Sequence, residues 1–401
     1  MMHRWPALLL LSAAISAANV EKPKLPPDLE RIVQLANASP PEFTSDALLR
    51  VAAVTKIDKQ LRLELIDRAF HNAPGAQFHT PMIILMQTPD TSAGMLASAA
   101  RLNLDTLTLQ TRAVRGMLPL DIAMARQLFL EISQPAIEPA TCEQVMVPDL
   151  TPLYDTLSII ANSTFSDLEK KKEEHINLVM GYLSGASSPT QIAPLERMIA
   201  SLSVSPQQRD ILTTRLNGLR QSLVAPTCDD KKPMDASSRP DAFWKSDQAK
   251  RLFSLGVRLR FKENGNLYSD AERDTPEWYL QLTDYTKELG DWGASDEKDE
   301  ATYFHQKAII YEMLVELTPR GAERDKLIQT YVDFVANSAL QREKPVEWFF
   351  HAQSLLTRVR GENGGEPVKI AAAFVNSGNP VLALYMDLDK TLPTSNRLTD
   401  P

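Results

Sequence analysis

The feature that most constrains this chain is the recurrence of apolar residues every three to four positions along most of its length. Leu29, Ile32, Val33 and Ala36 form one such stripe, the spacing that places them on one face of a helix. The same spacing returns over residues 61–70, 192–199, 211–219, 309–317 and 327–335. Because these faces must be buried against one another, the sequence predicts an all-α fold of antiparallel helical hairpins in a solenoid-like or two-lobed helical array.

Capping residues and prolines mark where the helices begin. Ser166-Asp167-Leu168-Glu169 and Ser205-Pro206-Gln207-Gln208 place a serine three residues before a Glu or Gln, which is the capping-box pattern. The chain has 27 prolines but only 15 glycines, and a proline at the first helical position costs no hydrogen bond. This composition favours helices that start at prolines over a barrel with glycine-rich turns.

One segment alternates in the manner of a strand. Val257, Leu259 and Phe261 alternate with basic residues, and the Asn264-Gly265 pair that follows is typical of a tight hairpin turn. The same residues can equally form the end of a helix that starts near Gln248. We favour the helix and keep the hairpin as the alternative.

Residues 1–18 have the pattern of a cleaved secretory signal. Arg4 precedes a short apolar run, and Ser16-Ala17-Ala18 puts small side chains before a cut at Asn19. The run is too short to span the roughly 30 Å hydrocarbon core of a bilayer as a helix, and no later segment is long and apolar enough to do so. We therefore expect an exported protein, periplasmic or extracellular, with no transmembrane segment in the mature chain. An uncleaved membrane-bound N-terminus and a mistaken start codon are the alternatives.

Proline-rich segments also divide the chain. A lead over 19–27 precedes the first stripe, and residues 225–241 contain Pro226, Pro233 and Pro240 but no apolar stripe. The sequence therefore predicts a flexible lead over 19–27, an N-terminal helical domain over 28–224, a linker over 225–241, a C-terminal helical domain over 242–395 and a tail over 396–401. Within the C-terminal domain, Tyr303-Phe304-His305-Gln306 has an echo in Phe349-Phe350-His351-Ala352, but two copies do not establish a repeat.

Cys142 and Cys228 are the two cysteines of the chain. An even cysteine count in an exported protein favours a disulfide, and a bridge that closes so long a loop would stabilise the fold by roughly 4–5 kcal/mol. Two buried free thiols or a metal pair are the alternatives. Neither cysteine has a second Cys or a His at ligand spacing, so zinc is disfavoured and we predict the Cys142–Cys228 disulfide.

The charge and the motifs exclude several classes of function. A net charge of −8 argues against nucleic acid as a partner. The chain contains no phosphate-binding Gly-x-x-x-x-Gly-Lys-Ser/Thr loop, no Gly-x-Ser-x-Gly elbow, no His-Glu-x-x-His and no calcium loop. We therefore expect no cofactor and no resident metal.

The C-terminal half contains four of the five tryptophans and two histidines in aromatic surroundings. If these side chains were exposed they would form a binding surface, with Trp278, His305, Trp348 and His351 as the candidate binding residues. If they are buried they form the core, which is the interpretation that we favour. His305 could also meet carboxylates of a neighbouring helix as a metal ligand, but one His–carboxylate pair is too common to identify such a site.

Two functional hypotheses follow. The first is an exported non-catalytic binding or scaffold protein that engages a protein, a peptide or a component of the cell envelope. The second is a secreted all-α polysaccharide hydrolase or lyase, with a carboxylate pair drawn from Glu277, Glu300, Glu312 and Glu347 in a tryptophan-lined groove. Two carboxylates in such a cleft would favour the enzyme. We prefer the first hypothesis and assign no catalytic residue.

Overall fold

The computed structural model describes residues 24–84, 92–138, 146–224, 244, 246–294, 299–361 and 377–392. Helix makes up 73% of the structure and strand 2%, which confirms the all-α fold. The predicted signal over 1–18, both cysteines of the predicted disulfide, the linker over 225–241 and the tail over 396–401 lie outside the described residues.

The N-terminal half of the described chain contains eleven α-helices and two short strands. The helices are α1 (Pro27–Asn37), α2 (Pro41–Ala52), α3 (Lys59–Asn72), α4 (Ser92–Ala100), α5 (Thr106–Met117), α6 (Ile122–Glu131), α7 (Thr151–Ser163), α8 (Asp167–Lys171), α9 (Glu174–Ser184), α10 (Ile192–Ser201) and α11 (Pro206–Ser222). Strands β1 (Met82–Ile84) and β2 (Met146–Pro148) pair antiparallel, with Ile83 opposite Val147.

Eight further helices follow in the C-terminal half. They are α12 (Asp247–Arg260), α13 (Asp270–Arg273), α14 (Pro276–Asp291), α15 (Glu300–Leu317), α16 (Ala322–Ala336), α17 (Leu340–Glu343), α18 (Pro345–Gly361) and α19 (Pro380–Thr391). None of the described helices combines the length and the apolar character that crossing a membrane requires.

The helices start where the capping pattern predicts. The Ser166 and Ser205 capping boxes are both formed, and each serine accepts from the backbone N–H three residues later. Proline occupies the first helical turn of α1, α2, α11, α14 and α19, where its missing N–H leaves no bond unmade. Local chemistry therefore sets the boundaries of these helices.

The alternating segment is mainly helical, as we favoured. Helix α12 runs through Arg260, and a single antiparallel bridge then joins Phe261 to Leu267. Gly265 sits in the intervening turn with φ of +80°, a conformation that glycine adopts without steric cost. The alternating segment therefore forms the end of α12 and leads into a tight turn.

The beginning and the end of the described chain pack together. Helix α1 lies against α19, and α18 lies against α4. The Phe43 ring of α2 meets the Phe349 ring of α18 edge-on at 4.9 Å and the Tyr385 ring of α19 at 5.9 Å. Buried side chains from both predicted domains form one continuous hydrophobic cluster. The division into two domains stays a prediction.

Candidate functional site

The two histidines of the sequence echo meet inside the protein. His305 on α15 and His351 on α18 face each other, with 2.8 Å between His305 Nδ1 and His351 Nε2. His305 is 5% exposed and His351 is 1% exposed. Burial of an ionisable group costs free energy unless specific partners bind it. The two imidazoles, removed from water, therefore depend on one another and on the groups at either end of the pair.

Aromatic packing fixes the helices that carry these histidines. Helix α15 is buried on nearly every side, as expected of a central helix. The Phe304 ring stacks on Phe334 of α16 with 5.4 Å between centroids and meets the His351 ring edge-on at 5.5 Å. The indole N–H of Trp348 donates to the Val335 carbonyl at 2.6 Å, which ties α18 to the end of α16. These contacts fix the distance between the two imidazole rings.

A carboxylate lies at the His305 end of the pair. Glu347 Oε2 is 3.2 Å from His305 Nε2, and Glu347 is itself 6% exposed. Gln77 crosses over from the N-terminal half, donates to Glu347 Oε1 at 3.1 Å and accepts from the Val346 N–H at 2.8 Å. The Lys344 ammonium is 3.9 Å from the same Oε1. Glu347 therefore has partners on both carboxylate oxygens.

A second carboxylate lies at the His351 end. Glu312 Oε1 is 3.7 Å from His351 Nδ1 and accepts from the Tyr331 hydroxyl at 3.2 Å. The Glu312 side chain is one-quarter exposed, so this end reaches towards solvent. We call the series Glu312, His351, His305 and Glu347 the histidine row.

The hydrogen-bond partners assign the protons of the row. An ionised Glu347 only accepts, so His305 Nε2 carries a proton, and the neutral ring accepts at Nδ1. His351 must then donate from Nε2, which leaves its Nδ1 without a proton and facing Glu312. The neutral row is therefore directional, with each N–H pointing towards Glu347.

Burial lowers the pKa of His351 below its ordinary value, and the nearby Glu312 opposes this effect only in part. His351 is therefore uncharged near pH 7. Within the described ranges, no group of three or more His, Cys, Asp or Glu side chains is arranged to hold a metal ion. The arrangement of the row is suited to holding and moving a proton.

The remaining candidate residues lie in the core or apart on the surface. All four tryptophans that the structure describes are buried: Trp244, Trp278, Trp292 and Trp348. The Trp278 indole donates to the Leu317 carbonyl at 3.0 Å, so it fastens α14 to the end of α15. Glu277 and Glu300 are exposed in the first turns of α14 and α15, where negative charge meets the helix dipole. The structure thus gathers His305, His351, Glu312 and Glu347 but not Glu277 or Glu300.

No family model, curated protein or solved structure matches this chain.

Sequence reasoning missed two sets of polar residues. Gln77 and Tyr331 complete the histidine row, but neither stands at a recognisable spacing from the residue that it binds. The second set is a buried network in which Asp46 of α2 meets Arg50, Arg112 and Tyr385. The i, i+4 spacing of Asp46 and Arg50 was the one available signal, and it is common on helices.

A surface depression lies among helices α1, α2 and α3. It has a volume of about 450 Å³ and is lined by Asn37, Ser39, Pro41, Thr44, Asp67, Arg68, His71 and Asn72. The His71 ring is more than half exposed and lies 3.4 Å from Asp67 and 3.5 Å from Glu131. These are exposed polar pairs, which contribute little to stability.

Proposed function

We propose that this protein is an exported, non-catalytic helical binding or scaffold protein that engages a protein, a peptide or a component of the cell envelope. The observation that carries the proposal is the burial of all four described tryptophans, with the indoles of Trp278 and Trp348 donating to backbone carbonyls. Aromatic side chains used in this way stabilise helix packing and are not available as a platform for a sugar ring.

The candidate carboxylates support the same proposal. Glu312 and Glu347 are engaged with histidines, a tyrosine and a glutamine, while Glu277 and Glu300 lie on the surface at helix starts. A glycosidase needs two carboxyl groups that face a shared sugar site. We propose instead that the helices form a solenoid-like or two-lobed array whose outer faces contact the partner.

The test uses the mature chain, purified after export, with its N-terminus sequenced. Immobilised protein is incubated with peptidoglycan, outer-leaflet lipid vesicles and soluble envelope proteins from the source cell, and the same preparation is assayed for new reducing ends on a panel of polysaccharides. Saturable binding to one of these fractions, without new reducing ends, is the expected result.

Two matched variants separate binding from catalysis. The Glu277→Gln, Glu300→Gln double variant and the Glu312→Gln, Glu347→Gln double variant should both retain binding, because the proposed binding requires no carboxylate pair. Polysaccharide cleavage that either variant abolishes would overturn the proposal in favour of a hydrolase or lyase. An N-terminus that still contains residues 1–18 would overturn the export part alone.

A further inference from the structure

One link of the histidine row lacks a proton when both imidazoles are neutral. His351 Nδ1 and Glu312 Oε1 lie 3.7 Å apart, so a ring lone pair faces a carboxylate oxygen. A proton placed on Nδ1 would convert this contact into an ion pair between an imidazolium and a carboxylate. The His351–His305 and His305–Glu347 links would keep their donors and acceptors unchanged.

A second added proton meets a different situation. It would have to occupy His305 Nδ1, which accepts from His351 Nε2 at 2.8 Å. Two N–H groups would then face each other, the hydrogen bond would be lost, and two imidazolium ions would be in contact inside the core. The folded row therefore accommodates one added proton, whereas the same two histidines in an unfolded chain take up two.

We propose that the histidine row is a proton-binding site that accepts one proton between His351 and Glu312 and excludes a second, so that acid weakens the packing of α15 against α18. The proposal does not depend on what the protein binds. A purely structural pair of histidines would not distinguish the two protonation steps, whereas the row accepts the first proton and excludes the second.

Tyrosine and lysine side chains contact the two carboxylates of the row. From α16, Tyr331 donates to Glu312; from the segment before α18, Lys344 approaches Glu347. Helix α4, which packs against α18, carries no ionisable side chain.

The side of α18 that faces α2 and α19 is apolar at Phe349, which contacts Phe43 and Tyr385. Asp46 on that side is paired with Arg50 and Arg112, so its charge is compensated. The proton balance at His351 is therefore set chiefly by burial, by Glu312 and by His305.

The sign of the pH effect follows from burial. Burial lowers the pKa of His351, Glu312 raises it, and a charged His305 lowers it, with a net downward direction. The unfolded chain therefore binds protons at higher pH than the folded chain, and stability falls as the pH drops through the ordinary histidine range. Each excess proton bound by the unfolded state changes the unfolding equilibrium constant about tenfold per pH unit.

Two buried carboxyls titrate in the same region with the opposite sign. Burial raises the pKa of Glu42 to about 7 and that of Asp105 to about 6. Both carboxyls remain in a His351→Gln variant. Their contribution therefore cancels when the pH dependence of the free energy of unfolding is compared between wild type and variant. His351→Gln also keeps an amide N–H that can donate to His305 while it removes the titrating ring.

The direct test is ¹⁵N NMR of the histidine side chains in the full mature chain between pH 8 and pH 4.5. Single His→Gln variants assign the signals, and the half-exposed His71 serves as the internal control. At pH 8 both row histidines should carry the proton on Nε2. On acidification His351 should become an imidazolium, and the folded row should show one imidazolium signal and no second one. In Glu312→Gln the His351 titration should move to lower pH, whereas Glu316→Gln, an exposed position on the same helix, should leave it unchanged.

Denaturant unfolding between pH 7.5 and pH 5 gives the second readout. Wild type should lose stability more steeply than His351→Gln, by up to about tenfold in the unfolding constant per pH unit. Two folded-state imidazolium signals in the row, a proton on Nδ1 of His351 at pH 8, or equal titration in wild type and Glu312→Gln would each overturn the proposal. If His351→Gln fails to fold, the wild-type and Glu312→Gln spectra still decide it.

Discussion

Replacing Asp46 by Asn should destabilise the protein more than any surface substitution. Asp46 is fully buried, and Oδ1 lies 2.8 Å from Arg112 Nη1. Oδ2 lies 2.9 Å from Arg50 Nε and accepts from the Tyr385 hydroxyl at 2.8 Å. One carboxylate thus joins α2, α5 and α19. The amide would keep the shape of the side chain but would leave two guanidinium groups without their counter-charge.

Two contributions determine how much stability this substitution removes. Burial opposes ionisation of Asp46, yet Arg50 and Arg112, with the Tyr385 hydrogen bond, lower its pKa from 3.8 to about 2. That shift corresponds to about 2 kcal/mol of stability, present above the unfolded pKa and lost as the pH falls through the folded one. Leaving buried partners unpaired adds to this, so we expect Asp46→Asn to cost about 3–5 kcal/mol at pH 7.

Urea unfolding followed by circular dichroism and tryptophan fluorescence measures this loss. Asp67→Asn is the matched control, because Asp67 is a partly exposed partner of His71 and its replacement should cost less than about 0.5 kcal/mol. The difference in the free energy of unfolding between wild type and Asp46→Asn should become smaller below pH 3, because Asp46 is then increasingly protonated in wild type. A loss of less than about 1 kcal/mol at pH 7 would refute the assignment of Asp46 as a buried ion-pair centre.

Burial raises the pKa of Glu42 to about 7, so the free energy of unfolding of wild type should fall by about 3 kcal/mol as the pH rises from 4.5 through 7. Glu42→Gln should not show this loss, and equal urea midpoints of the two proteins at pH 9 would contradict the prediction. A Cβ on Gly256 would lie 2.6 Å from Met313 Cε and Tyr285 Oη, so Gly256→Ala should cost about 1–3 kcal/mol. Gly218→Ala meets nothing within 4 Å and should stabilise α11 by up to about 1 kcal/mol in thermal unfolding; similar effects of the two substitutions would be inconsistent with the packing.

The helices were predictable because their signals are local. Stripes such as Leu29, Ile32 and Ala36 and the serine of a capping box act within one or two turns, and the structure forms them as expected. The burial of the tryptophans was also predictable, since aromatic side chains provide most of the apolar area available to a core.

The candidate site was only partly predictable because its partners are distant in sequence. His305 and His351 could be identified as an echo, and Glu347 lies one turn before His351, but nothing in the sequence states that the two imidazoles face each other. Gln77 reaches Glu347 across 270 positions. Such pairings follow from the packing of whole helices, which no local pattern determines.

The hydrogen bond between Tyr385 and Asp46 spans 339 positions, and α1 rests on the helix that carries Tyr385. A chain that emerges N-terminus first from a ribosome, or threads through a translocation pore, therefore leaves the part of α2 that Tyr385 covers exposed until nearly all of the polypeptide up to α19 has followed. Synthesis halted before α19 would leave this first segment unfinished, and we expect such truncated products to be removed by proteases.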